Sequence, residues 1–166
     1  MTITPQLFER ASQNYVAIRI KINRDEIGNI VPSIYSELSA WVSENNISIS
    51  GTPIIRYFSI DYGTGDVSID VGYPVSSNKV PAHNHIKIDE IPHGTYATLI
   101  HSGTYENLFE TTAMLLAWGQ KQGIKWKSLQ DNKMTTWQSR IEHYLVGPTD
   151  TQNPDKWKTE VAILVE

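Results

Sequence analysis

The run best suited to chemistry is Arg140-Ile141-Glu142-His143-Tyr144-Leu145-Val146. A carboxylate and a phenol two residues apart on a strand project from the same face. If that face is interior, Glu142 must take up a proton or wait for a cation, because a buried carboxylate without a basic partner is strongly destabilised. Alternation alone favours the opposite arrangement, with Ile141 and Leu145 inward and Glu142 and Tyr144 in solvent. His143 is expected to point away from Glu142 in either case.

Ring chemistry adds to this. The chain has eight Tyr and five Trp against three Phe, a bias towards rings with a polar handle, which suit wet apolar pockets. Tyr57, Trp118, Trp137 and Tyr144 fall in segments that would border a groove, where a cation could meet ring faces and Glu142 together. Core packing is the competing role for each ring, above all for Trp118 on its helical stripe.

Other chemistries find less support. His83-Asn84-His85 has a spacing two strand ligands could use, but it reads as loop and lacks further converging ligands, so neither a metal site nor a cofactor is expected. Gly-x-Ser-x-Gly is missing, which disfavours a serine hydrolase. Gly63 and Gly65 read as part of a hairpin, not of a phosphate-binding loop between strand and helix. The absence of Cys removes disulfides, thiolate metal sites and a cysteine nucleophile, and fits a reducing compartment.

The chain has 166 residues, 40% hydrophobic and 19% charged, enough for one domain with its own core. With 14 Lys+Arg against 18 Asp+Glu, a net charge of −4 and no basic window, binding to a nucleic-acid backbone is disfavoured. No signal-like start and no long apolar run occurs, so a membrane location is not expected and a cytoplasmic one is.

The elements that must position these residues can be read from periodicity. Strands are expected over 14–22, 54–60 and 67–73, the last two joined by a turn at 61–65, and a helix over 32–46 with Pro32 in its first turn. After a polar loop from Ser76 to His85 the order repeats: a strand over 94–101, a helix from about Thr104 to Gly123, and strands over 135–146 and 158–165. The stretch from Ser76 to Glu90 carries no assignable pattern. Leu38, Trp41 and Ile47 each precede Leu115, Trp118 and Ile124 by 77 residues, so the two helices share one frame. The expectation is an α+β fold made of a duplicated β-α-β-β unit with pseudo-twofold symmetry, repeats at about 14–75 and 91–166 within a single domain 1–166. Two antiparallel sheets side by side would leave a central ligand groove.

The ordered set Ile91-Pro92-x-Gly94-x-Tyr96, His101-x-Gly103-x-Tyr105-Glu106, Leu115-x2-Trp118, Glu142-x-Tyr144 and Thr159-Glu160, together with Gly51-x-Pro53, resembles the GyrI-like small-molecule-binding domain, the effector-binding module of AraC- and MerR-type regulators. The resemblance runs from Tyr15 to Val165. It implies a groove for bulky aromatic or cationic compounds with a glutamate at its floor, matched by motif to Glu142 with Tyr144 beside it, and it places Glu142 in the interior. Thr104 stands where the family often has Pro, which affects only the start of the helix. The stretch ahead of the first expected strand is too short for a helix-turn-helix domain, so the resemblance implies a stand-alone member that does not bind DNA directly.

Three functions follow from it: sensing or sequestration of a small aromatic or cationic ligand, hydrolysis of cyclopropane-containing genotoxins with Glu142 as the catalytic group, and inhibition of DNA gyrase. A binding module is preferred, because a carboxylate with aromatics suffices for cation capture and is merely permissive for hydrolysis. A homodimer or a separate protein partner is compatible with all three.

Overall fold

The computed structural model describes residues 4–166. In chain order the elements are β1 (Gln6–Arg10), β2 (Gln13–Asn23), α1 (Ile27–Glu44), β3 (Ile54–Asp61), β4 (Asp66–Pro74), β5 (Ile86–Ile91), β6 (Gly94–Ser102), α2 (Leu108–Lys121), β7 (Ser128–Asp131), β8 (Met134–Val146) and β9 (Lys158–Leu164). This is the expected α+β fold, but the halves do not form two separate sheets. Strands β3 and β8 pair antiparallel at the centre, with Ile55 opposite Glu142, and all nine strands join one curled half-barrel. Its order is β1-β6-β9-β8-β3-β4-β2-β5, with the short β7 on β8.

The two outermost strands were not expected from the sequence. β1 leaves the first half and pairs with β6 of the second, Gln6 opposite Thr98. β5 makes the reciprocal move, pairing with β2 so that Ile86 faces Ile18 and Ile91 faces Gln13. Part of the segment read as unpatterned is therefore an edge strand, and each half closes its sheet with a strand from the other.

The shared helical frame has a structural basis in how both helices end. Ile47 N–H donates to Val42 O at 3.0 Å and Ile124 N–H to Gly119 O at 2.9 Å, while Asn46 and Gly123 between them hold φ of 55° and 74°. This is the Schellman cap, whose left-handed residue is normally Gly. The isolated bridges Ile49–Val75 and Trp126–Val165 then follow in the same order. Both helices begin differently from expectation. α1 opens at Ile27 after a 3-10 turn at Arg24–Glu26, which moves Pro32 out of the first turn and into the helix. There Pro32 cannot donate to the carbonyl four residues back. α2 opens at Leu108 after a 3-10 turn at Tyr105–Asn107.

Both helices cover the same face of the sheet. Ile34, Leu38, Trp41 and Val42 of α1 pack with Val16, Ile55, Ile69 and Val71; Leu108 and Leu115 of α2 pack with Leu99, Trp137, Val161 and Ile163. The other face carries a third cluster, in which Tyr15, Ile54, Tyr96, Ile141 and Leu164 come from both halves. It continues into a charged network, with the Tyr15 hydroxyl donating to Asp70 at 2.6 Å, Arg19 pairing with Asp70, and Arg56 donating to the Tyr15 oxygen and two backbone carbonyls. Among the described residues no helix is long and apolar enough to cross a membrane.

Candidate functional site

Register decides where Glu142 sits. Ile55, Glu142 and Val161 form one row across β3, β8 and β9. Ile55 belongs to the cluster under α1 and Val161 to the cluster under α2, so Glu142 stands on the helix-bearing face midway between the helices. It is only 4% exposed. Ile141, on the opposite face, is fully buried as well. The alternation argument that would have put Glu142 in solvent fails because a central strand of this sheet is covered on both sides.

Two phenols hold the carboxylate. Tyr144 Oη donates to Glu142 Oε1 at 2.6 Å, and Tyr57 Oη, from the facing strand, donates to the same oxygen at 3.2 Å. Burial pushes the Glu142 carboxyl above its usual range, while the two phenols and the Arg140 guanidinium pull it back down. Arg140 does not form an ion pair with it among the described residues; its guanidinium lies over the rings of Tyr57 and Trp137 at 5.2 and 5.1 Å. Burial and the neighbouring carboxylate together hold the Tyr57 and Tyr144 hydroxyls well above the ordinary phenol range, so both remain donors. Glu142 Oε2 accepts no hydrogen bond among the described residues, and it is not one of the fully enclosed unpartnered atoms.

More rings close over this centre. Tyr35 of α1 donates to Ile54 O at 2.6 Å and meets Tyr73 edge-on at 5.3 Å. Tyr105 meets Tyr144 edge-on at 5.7 Å and stacks on Trp157 at 5.3 Å. The Glu142 charge raises the pKa of both Tyr35 and Tyr105, although burial is the larger cause. His101 braces the turn that carries Tyr105, with Nε2 2.6 Å from Thr104 O and Nδ1 2.7 Å from Thr111 Oγ1. Among the described residues, three buried polar atoms on this face lack partners: Arg140 Nη1, Trp137 Nε1 and Thr159 Oγ1. Buried polar groups are nearly always satisfied, so three such atoms on one face are unusual.

The structure brings Glu142, Tyr144 and Tyr57 together. Trp137 stands one layer away, against Arg140 and the α2 core. Trp118 packs on the α2 cluster and does not reach Glu142, which is the core role its helical spacing suggested. Sequence reasoning missed Tyr35, Trp157 and the inward Arg140. Tyr105 was legible only as a motif position, because its place in the aromatic cluster depends on the 3-10 turn before α2. The His83 and His85 rings meet edge-on at 4.7 Å, Trp41 packs on His83, and His85 bonds Glu37 at 2.7 Å. That pins the loop to α1.

Residues 4–166 match the family described as the GyrI-like small molecule binding domain. A search of curated protein sequences finds no match. Among solved structures, the EcmrR C-terminal domain has a TM-score of 0.78 at 19% identity, covering 100% of this chain and 99% of that one. In the EcmrR–DNA complex (TM-score 0.79, 20% identity) all of this chain is covered, but it spans 58% of that longer chain. SAV2435, solved bound to tetraphenylphosphonium, gives 0.63 at 15% identity over 98% of this chain and 94% of its own. A hydrolase from Listeria innocua gives 0.61 at 14% over 99% and 93%. At such identities the likeness is one of fold.

Proposed function

The chain belongs to the GyrI-like small-molecule-binding family, and from that premise we propose that it captures bulky aromatic cations over Glu142, as a cytoplasmic sensing or sequestering protein. The observation that carries this is a buried carboxylate, between two helices and beneath a cluster of rings, with one oxygen satisfied by two phenols and the other unbonded among the described residues. A cation placed there would restore the ionised form that burial disfavours, and the ring faces would add apolar area and cation attraction. The neighbour solved with tetraphenylphosphonium supports this class of ligand.

A bulky ligand needs the rings to part. Tyr105 is the mobile candidate. It is the most exposed of these tyrosines at 36%, and it follows Gly103, whose φ of 104° only glycine adopts freely. The test is calorimetric titration with tetraphenylphosphonium. Saturable binding is expected, and Glu142→Gln should weaken it by about 10- to 100-fold, the worth of a charged partner. Equal affinity in both proteins would sink the reading.

A second reading, hydrolysis of a cyclopropane-bearing electrophile, is favoured by the unbonded Oε2, which could orient or deprotonate a water. Product formation followed by mass spectrometry, lost in Glu142→Gln, would decide for it.

A further inference from the structure

The other face of β8 carries a second opening. Glu142 and His143 are consecutive, so their side chains leave opposite sides of the sheet. On the His143 side lies a cavity of about 300 Å³, at the place where β1 crosses from one half to the other. That volume lies at the lower end of the range for small-molecule sites. Glu142 does not line it.

The cavity combines an apolar floor with an unused polar group. Ile91, Tyr96 and Ile141 are 6%, 1% and 0% exposed and supply the floor. The Tyr96 hydroxyl is already engaged with Pro92 O and Ser139 Oγ. The His143 ring forms no hydrogen bond among the described residues, and its nitrogens are not among the enclosed orphan atoms. The ring lines the cavity, and its nitrogens are not fully enclosed. Charge at the rim cancels: Arg10 Nη1 and Nη2 donate to both carboxylate oxygens of Glu160 at 2.7 and 2.9 Å. Burial and Arg10 lower the His143 pKa to about 4, against the opposing pull of Glu160, so the imidazole is neutral at physiological pH.

We propose that this cavity is a second ligand site, which takes a neutral planar molecule of one or two rings carrying a single hydrogen-bond donor for His143. An anion would compete with Glu160 for Arg10, and a cation would find the Glu160 carboxylate already taken up by Arg10. This site is separate from the one over Glu142 and does not depend on it.

The test uses phenol as donor probe and anisole as its donor-less analogue, with nuclear magnetic resonance of the His143 ring and the Ile91 and Ile141 methyls. Phenol should shift all three saturably, and anisole should bind about fivefold more weakly, as for one neutral hydrogen bond. His143→Phe should reduce phenol affinity by a similar factor and leave anisole unchanged. Glu142→Gln should alter neither. In the wild-type protein, phenol shifts absent from these residues, or equal affinity for the two probes, would overturn the proposal. So would loss of the phenol response in Glu142→Gln, which would put the probe in the other site.

Discussion

The Tyr144 hydroxyl donates to Glu142 Oε1 at 2.6 Å from only two positions further along the same strand. Such neighbours share a face but do not ordinarily touch end to end. Here Tyr57 from the facing strand closes on the same oxygen, so among the described residues one carboxylate oxygen takes both hydrogen bonds and the other takes none.

Tyr144→Phe removes the largest influence holding the Glu142 pKa down. Cation binding requires the ionised carboxylate, so it is present above that pKa and fades as pH falls through it. The midpoint of tetraphenylphosphonium affinity against pH should therefore lie higher in Tyr144→Phe than in the parent. An unmoved midpoint would mean that the hydrogen bond does not govern ionisation.

Glu142→Gln should raise the melting temperature at pH 7 and above while weakening binding. Because the folded-state pKa of Glu142 is raised by burial, the ionised side chain opposes folding above that pKa, and the opposition vanishes once both states are protonated. The difference between parent and variant should shrink on acidification. Thermal unfolding across pH reads it, and a less stable variant at pH 8 would contradict the argument.

His143 acts with the opposite sign. Its pKa falls to about 4 in the fold, with Glu160 and Arg10 as the charged groups facing it. Between pH 6.5 and 4 the unfolded chain takes up a proton that the native ring refuses, so stability is lost as pH falls, by on the order of 3 kcal/mol. His143→Gln should abolish that loss. Parallel denaturation curves for parent and variant across this window would refute it.

Leu115→Ala should lower stability by about 2–5 kcal/mol through a cavity beneath α2, since Leu115 is fully buried. Gly119→Ala should also destabilise, by about 1–3 kcal/mol, because its new methyl would stand 2.2 Å from Trp126 Cζ2. Urea midpoints for both measure this. An unshifted Gly119→Ala midpoint would mean that Trp126 moves aside freely.

The repeated order of strand, helix and paired strands was legible because each element carries a clear period, and the 77-residue offset returned as matching Schellman caps. The single continuous sheet was not legible, since nothing local to β3 or β8 says that they pair with each other. β1 and β7 are too short to show alternation. β5 alternates Ile86, Lys87, Ile88 and Asp89 but follows a polar loop that hid it. At the site, Glu142 and Tyr144 came from motif and Tyr57 from composition. Tyr35, Trp157 and the cavity beside His143 required three dimensions, because each is assembled from distant segments.

The exchanged edge strands have a consequence for synthesis. β1 is made before its pairing partner, which lies up to 92 residues further along the chain. Until β6 has emerged, the leading half can fold its helix onto β2, β3 and β4 but must hold its first strand unpaired, and β2 must wait for β5. The two reciprocal clasps thus close only after β5 and β6 have been made. Separately expressed halves would each carry a stray strand and an uncovered edge, and would be drawn to each other or to a second copy of the chain.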